Sequence, residues 1–359
     1  MTSTPAGQPR LTVRSPADLL AAVPYLLGFH PTDSLVVVAL RDKKIIFAAR
    51  GDLPDPADPP SAIAESAEDV ASVVSQQGAS AATAVGYGPA DRVDRIVPAV
   101  RDALADRGVR LLEALRVDSG RYWSYLCANP ACCPPEGTTY DAAASEVAAA
   151  ATLAGHVVLP DRAAVVQRVT PVDGAAREAM RQATVRAEER LVDLLDTAGV
   201  ADLLGGKAIR RAGEAAVGEA FTRYAAGGRL ADDEAAWLSL LLGYLPVRDH
   251  AWMLITDEEW QVELWADVAR RAEPDLVPPV ASLLAYAAWR VGHGALANVA
   301  LDRALAEDPG YSMAQLLREG LSRGISPQAL SSWPGGGTDR RGGSRNARRG
   351  HGAIRPAPA

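Results

Sequence analysis

Residues 34–51, SLVVVALRDKKIIFAARG, decide the fold. From Ser34 to Arg41 the chain is a nearly unbroken apolar run rich in valine, the pattern of a strand buried on both faces. Residues 44–51 repeat the strand signal, and only Asp42 and Lys43 separate the two runs, which is hairpin spacing. Upstream, SPADLLAAVPYLLG (15–28) reads as a helix with Ser15 as N-cap, Pro16 at the first helical position and Asp18 in the first turn. Pro24 is expected to kink or end it, and GFHPTDS to connect it to the strand. Downstream of the hairpin, LPDPADPP is a linker. A helix is expected over 61–77, with Ile63, Ala67, Val70, Val73 and Val74 on one face. A strand follows at 81–88, a helix at 91–107 ended by Gly108, and a second hairpin from 109–117 and 121–127. Helices alternating with strands, plus two hairpins, predict a five-stranded mixed sheet in an α/β sandwich rather than a purely doubly wound fold.

Beyond this, 140–155 reads as an alanine-rich helix, and from Asp173 onward the pattern is helical. Helices are expected at 174–198, 207–227, 231–245, 257–271, 276–292, 295–306 and 311–323, with Thr256 and Glu259 at capping-box spacing. The implied organisation is a flexible N-terminus at 1–10 and an α/β domain at 11–160. A linker at 161–173, an all-α domain at 174–330 and a disordered Gly/Arg-rich tail at 331–359 complete it. Trp237, Trp252, Trp260, Trp265 and Trp289 fall in the helical half at spacings expected of core packing. Ala288, Gly292, Ala297, Leu301, Ala304 and Pro309 match one tetratricopeptide-like unit. One unit cannot bury its own face, so a helical hairpin within a bundle and a solenoid-like array both stay open.

Of the 37 basic residues only Lys43, Lys44 and Lys207 are lysine, as expected of a GC-rich genome. The tail carries a net +5, leaving −12 on the body of a chain whose formal charge is −7. An acidic body argues against nucleic acid as its main partner, with weak contact through the Arg-rich tail as the exception. No apolar run is long enough to span a bilayer, and MTSTPAGQPR lacks the apolar core of a secretory signal, so the expected location is cytoplasmic.

All three cysteines, Cys127, Cys132 and Cys133, fall in RYWSYLCANPACCPPEGTTY (121–140). In a reducing compartment such a cluster reads as structural thiols or a metal site before a disulfide. Cys-x4-Cys-Cys is not a standard zinc spacing, and adjacent cysteines point differently, yet three thiolates with His156 or His30 could close a tetrahedral site. Cys127 could also form a disulfide with Cys132 or Cys133 by a turn at Asn129–Pro130. Structural thiols are favoured, and a nucleophilic cysteine is disfavoured because no histidine lies nearby in sequence. A second candidate, Gly28 to Ser34, contains His30, Asp33 and Ser34. They are triad residue types, but so close in sequence that a helix-to-strand connection is the better reading. A third, Gly86-Tyr87-Gly88-Pro89-Ala90-Asp91, lacks the last glycine of a dinucleotide fingerprint, and Pro89 removes an amide, so a tight strand-to-helix turn is expected.

SPADLLAAVPYLLGFHPTDSLVVVAL (15–40) and RYWSYLCANPACCPPEGTTYD (121–141) together resemble the actinobacterial family called domain of unknown function 4192, over roughly residues 11–330. That resemblance implies no mechanism. The leading expectation is a non-enzymatic interaction or regulatory protein whose helical half offers a face to a protein partner. The alternative is a thiol- or metal-dependent enzyme or redox sensor built on the cysteine loop. No cofactor is specified; a metal ion on the cysteines is the one admitted.

Overall fold

The structure is a computed structural model that describes residues 13–142, 144–153, 157–199, 202 and 206–327. The N-terminal arm, His156 and the Arg-rich tail lie outside the described residues.

Helix α1 (Pro16–Leu27) begins with a reciprocal cap: the Ser15 hydroxyl accepts the Asp18 N–H at 3.1 Å, and the Asp18 carboxylate accepts the Ser15 N–H at 3.1 Å. The helix does not end at Pro24. It runs one further turn and closes at left-handed Gly28, whose N–H donates to the Pro24 carbonyl at 2.8 Å. Strands β1 (Ser34–Arg41) and β2 (Lys44–Asp52) form the expected hairpin, with Asp42 and Lys43 both at positive φ, as a two-residue turn of this hand requires. Then come α2 (Pro60–Gln76), β3 (Ala81–Tyr87), α3 (Ala90–Asp106), β4 (Arg110–Asp118) and β5 (Arg121–Ser124).

The sheet is mixed, but six-stranded rather than five-stranded. Its order is β2-β1-β3-β4-β5-β6, with only β3 and β4 parallel. The extra strand is β6 (Thr138–Thr139), and β5 stops at Ser124 rather than reaching Cys127. The cause is local: the Ser124 hydroxyl accepts the N–H groups of Leu126 and Cys127 at 3.2 and 3.1 Å, turning the chain off the ladder. Alternation along the strands splits the core. Leu35, Val37, Ala82, Ala84 and Ala114 pack with α2 and α3, while Val36, Val38, Val85, Leu115 and Val117 pack with α1. Helix α4 (Glu146–Leu153) lies against α1 and begins six residues later than expected.

Residues 161–173 are not a featureless connection. They contain α5 (Arg162–Gln167), started by Asp161, whose carboxylate accepts the Ala164 N–H at 2.8 Å. Val165 and Val169 join the helical core, as does Phe29, which pairs with Leu159 in an isolated bridge. The helical half holds α6 (Gly174–Thr197), α7 (Lys207–Ala225), α8 (Asp232–Leu242), α9 (Leu245–Leu254), α10 (Glu259–Arg271), α11 (Val277–Arg290), α12 (Gly294–Glu307) and α13 (Ser312–Ser322). The expected helix 231–245 is α8, which ends at Leu242. Helix α9 is an additional helix in the stretch between the expected helices at 231–245 and 257–271, separated from α8 by Gly243–Tyr244 and opened by Leu245–Pro246. Thr256 and Glu259 do not form a capping box. Thr256 instead donates its N–H to the Gln261 side chain at 2.7 Å, and Glu258 is the N-cap.

The tryptophans pack as expected. Trp265 is fully buried, and Phe221 meets Trp260 and Trp265 edge-on at 5.3 and 6.0 Å. Helices α11 and α12 form a close hairpin turned by Gly292 at φ 90°, with Ala288, Ala297, Leu301 and Ala304 buried between helices. A packed hairpin is what the structure shows there; tetratricopeptide character stays an expectation of the sequence. Among the described residues no helix is long and apolar enough to cross a membrane.

Candidate functional site

The segment between β5 and β6 carries the three cysteines and is pinned at both ends. At its start, the Tyr125 N–H donates to the Ala114 carbonyl at 2.8 Å and the Tyr125 hydroxyl donates to Asp94 on α3. Ser124, which turns the chain, is itself fixed by donating to Glu113 at 2.7 Å. At its end, the Trp123 indole N–H donates to the Pro135 carbonyl at 2.9 Å, and Arg121 donates to the Gly137 carbonyl at 2.9 Å. The Arg116 guanidinium sits 3.6 Å from the Trp123 ring centre. Gly137, at φ 80°, lies flat against the indole: a β-carbon there would stand 2.5 Å from the Trp123 ring.

Between these anchors Asn129 organises the thiols. Its carbonyl accepts the N–H groups of Cys132 and Cys133 at 3.0 and 2.8 Å, and its side chain accepts the Ala131 N–H at 3.0 Å. This single turn brings both adjacent cysteines back toward Cys127. All three sulfurs lie within 4.8 Å of one another, contrary to the expectation that neighbours diverge, and none is disulfide-bonded. Cys132 is exposed; Cys127 and Cys133 are half-buried. The Asn129 backbone N–H and the Cys133 thiol both donate to the Cys127 sulfur, which holds the Cys127 thiol below its ordinary value. Donating to Cys127 pushes the Cys133 thiol up to about 12. The arrangement makes Cys127 the acceptor among the sulfurs and Cys133 a donor to it. Three sulfurs bound to one zinc at ~2.3 Å in tetrahedral geometry stand about 3.8 Å apart, so the cluster needs only a small contraction to hold a soft divalent ion. Among the described residues no histidine or carboxylate joins the three sulfurs.

His30, Asp33 and Ser34 lie elsewhere and do not form a triad. Ser34 is fully buried; its hydroxyl donates to the Thr32 carbonyl at 2.6 Å and accepts from Arg50 at 2.9 Å. Asp33, at φ 47°, pairs with Arg92 at 2.6 Å. The His30 N–H donates to the Leu159 carbonyl at 3.1 Å. His30 and Asp33 border a cleft of about 370 Å³ at the carboxyl ends of β3 and β4, whose walls also include Tyr87, Asp118 and Tyr140. The 86–91 turn forms part of the same wall, as a tight connection in which the Gly88 N–H donates to the Val117 carbonyl at 2.9 Å. Sequence reasoning passed over Asp118, and reached Tyr87 and Tyr140 only as members of the 86–91 and 121–140 stretches, without giving either a role. The available signal was that Tyr87 places a phenol at the end of an otherwise small and apolar strand. A larger cleft of about 930 Å³, also unforeseen, separates β2 and α2 from the α11–α13 region and is bordered by Phe47, Arg50, Val73, Trp289 and Arg318.

No curated protein and no solved structure matches the chain. The profile of the family described as Domain of unknown function (DUF4192) matches residues 16–328, and the chain belongs to that family.

Proposed function

We propose that this protein is a regulatory metal-binding protein, with Cys127, Cys132 and Cys133 as thiolate ligands to a zinc-class ion and one coordination position left to solvent. The observation that carries this reading is the convergence of three sulfurs within 4.8 Å on a loop fixed at both ends. A preformed ligand set lowers the ordering cost of binding. Exposure of Cys132 keeps the fourth position accessible, as in sites that exchange ligands rather than closed structural ones. Ion binding would tie the start of the loop to its middle, stiffening the β5–β6 edge of the sheet.

The test is anaerobic purification followed by joint measurement of bound metal and free thiols, then zinc titration of the metal-free protein against a chelator. One ion per chain, lost in Cys127→Ser and in Cys132→Ser, is the expected result. Three freely reactive thiols in the presence of micromolar zinc would remove the reading.

A second reading, a partner-binding face on the helical half, draws on the large cleft, where Trp289 and Phe47 supply apolar surface and Arg290 and Arg318 supply charge. It calls for a protein partner that crosslinks to residues 231–323. Arg162→Glu, a change at a half-exposed position on the cleft rim, should weaken that crosslink; an unchanged crosslink would count against this face.

A further inference from the structure

The 370 Å³ cleft contains a group that the fold leaves unused. Tyr87 is only 7% exposed, and its hydroxyl is buried without a hydrogen-bond partner. A buried hydroxyl with no partner is destabilising, and such groups in native proteins call for an explanation. Tyr87 lines a cavity at the carboxyl ends of parallel strands joined by a crossover helix, the position where open α/β sheets receive ligands.

The rest of the wall narrows the chemistry. Asp118 is the last residue of β4, the second strand of this strand–helix–strand unit, and its side chain is 41% exposed. It accepts from Ser119 at 2.9 Å and stands 3.6 Å from Arg116, so acceptor capacity remains. A carboxylate at that strand end suits the vicinal hydroxyls of a ribose. Phosphate is disfavoured. Among the described residues no lysine or arginine lines the cleft, Pro89 offers no amide, and the Asp33 carboxylate occupies the rim. The adjacent Arg92 is committed to Asp33 and to the carbonyls of Leu53 and Pro54. Leu20, Pro24, Val117 and the Tyr140 ring supply apolar walls for a flat heterocycle. We infer that this cleft binds a ribonucleoside without its phosphates, with Asp118 accepting from the ribose hydroxyls and the Tyr87 hydroxyl donating to the ligand. This inference is independent of the metal reading, since no cysteine lines the cleft among the described residues.

The experiment titrates the full-length protein by calorimetry with adenosine, guanosine, cytidine and uridine. The best binder is then compared with its 2′-deoxy form and its 5′-monophosphate, and tyramine serves as an organic cation that would also suit two carboxylates. Saturable binding by a ribonucleoside is expected, weakened roughly tenfold or more by loss of the 2′-hydroxyl and weakened by the 5′-phosphate. Tyr87→Phe should weaken binding by about tenfold without lowering the unfolding midpoint, because the hydroxyl it removes is unpaired in the free protein. Asp118→Asn, at a partly exposed site, gives a second variant that keeps the fold and should weaken binding similarly. No binding by any ribonucleoside, a 2′-deoxy form equal to its parent, binding of tyramine alone, or full affinity in both variants would each overturn the inference.

Discussion

Gly137→Ala tests whether the thiol loop is held in shape by the Trp123 platform. Gly137 sits at φ 80°, and an added β-carbon would lie 2.5 and 2.7 Å from two indole carbons. Neither neighbour yields easily, because the indole is fixed by its bond to Pro135 at 2.9 Å and by Arg116 on its face at 3.6 Å. A left-handed backbone costs a non-glycine residue roughly 1–2 kcal/mol. Displacing the ring also loses a hydrogen bond worth about 0.5–1.5 kcal/mol and a cation–π contact worth about 0.5–1 kcal/mol. The total is about 2–4 kcal/mol, taken either from global stability or from local order of residues 124–137. If it is local, zinc binding must restore the loop, and the apparent Kd should rise by roughly 30- to several hundred-fold, at ~1.4 kcal/mol per tenfold. Gly120→Ala is the matched control: Gly120 is at φ 73° with nothing within 4 Å of the added carbon, so only the backbone term applies. Urea unfolding and competitive zinc titration of both variants decide the matter. Equal effects at Gly120 and Gly137, or no effect at Gly137, would refute the platform argument.

Ser124→Ala removes one bond to Glu113 and two from the N–H groups of Leu126 and Cys127. It should lower stability by about 1–3 kcal/mol and weaken zinc binding; unchanged values in urea unfolding and chelator competition would refute this. Because the Cys127 thiol is lowered and that of Cys133 is raised to about 12, Cys127 should be alkylated before Cys133 as pH rises. Mass mapping after brief iodoacetamide treatment across a pH series checks the order. Zinc binding should release protons and tighten with rising pH, since the ligands bind as thiolates; calorimetry in buffers of different ionisation enthalpy reads the proton count. Ser34→Ala should destabilise by about 1–3 kcal/mol through Arg50 while leaving zinc affinity unchanged; a selective loss of metal binding would show that the 28–34 loop and the thiols are one site.

The α/β half was legible wherever local chemistry and long-range packing agreed. The valine run at 35–38 has to be buried on both faces, and Asp42–Lys43 leaves room for nothing but a hairpin, so β1 and β2 followed directly. Helix α9, between the expected helices at 231–245 and 257–271, was missed because Pro246 fits a helix start as well as a helix end, and apolar periodicity alone does not distinguish them. β6 was missed for a different reason: two residues carry no periodicity, and the strand exists because Trp123, Arg121 and Gly137 hold the returning chain beside β5.

The same distinction governs the two sites. Cys-x4-Cys-Cys gives no metal spacing by inspection, because spacing rules describe ligands presented by regular hairpins and helices. Here the sulfurs converge through the Asn129 turn, whose carbonyl gathers the amides of Cys132 and Cys133, while Ser124 fixes Cys127 from the other side. That convergence depends on anchors as far away as Asp94 on α3 and Glu113 on β4, which sequence proximity to the cysteines does not reveal. The cleft was half-legible. The 28–34 and 86–91 segments were singled out separately, and the strand order β1-β3-β4 then places Ser34, Tyr87 and Val117 at the same end of adjacent strands. What the sequence could not supply is the absence of a partner for the Tyr87 hydroxyl, because satisfaction of a buried polar atom is a property of everything packed around it.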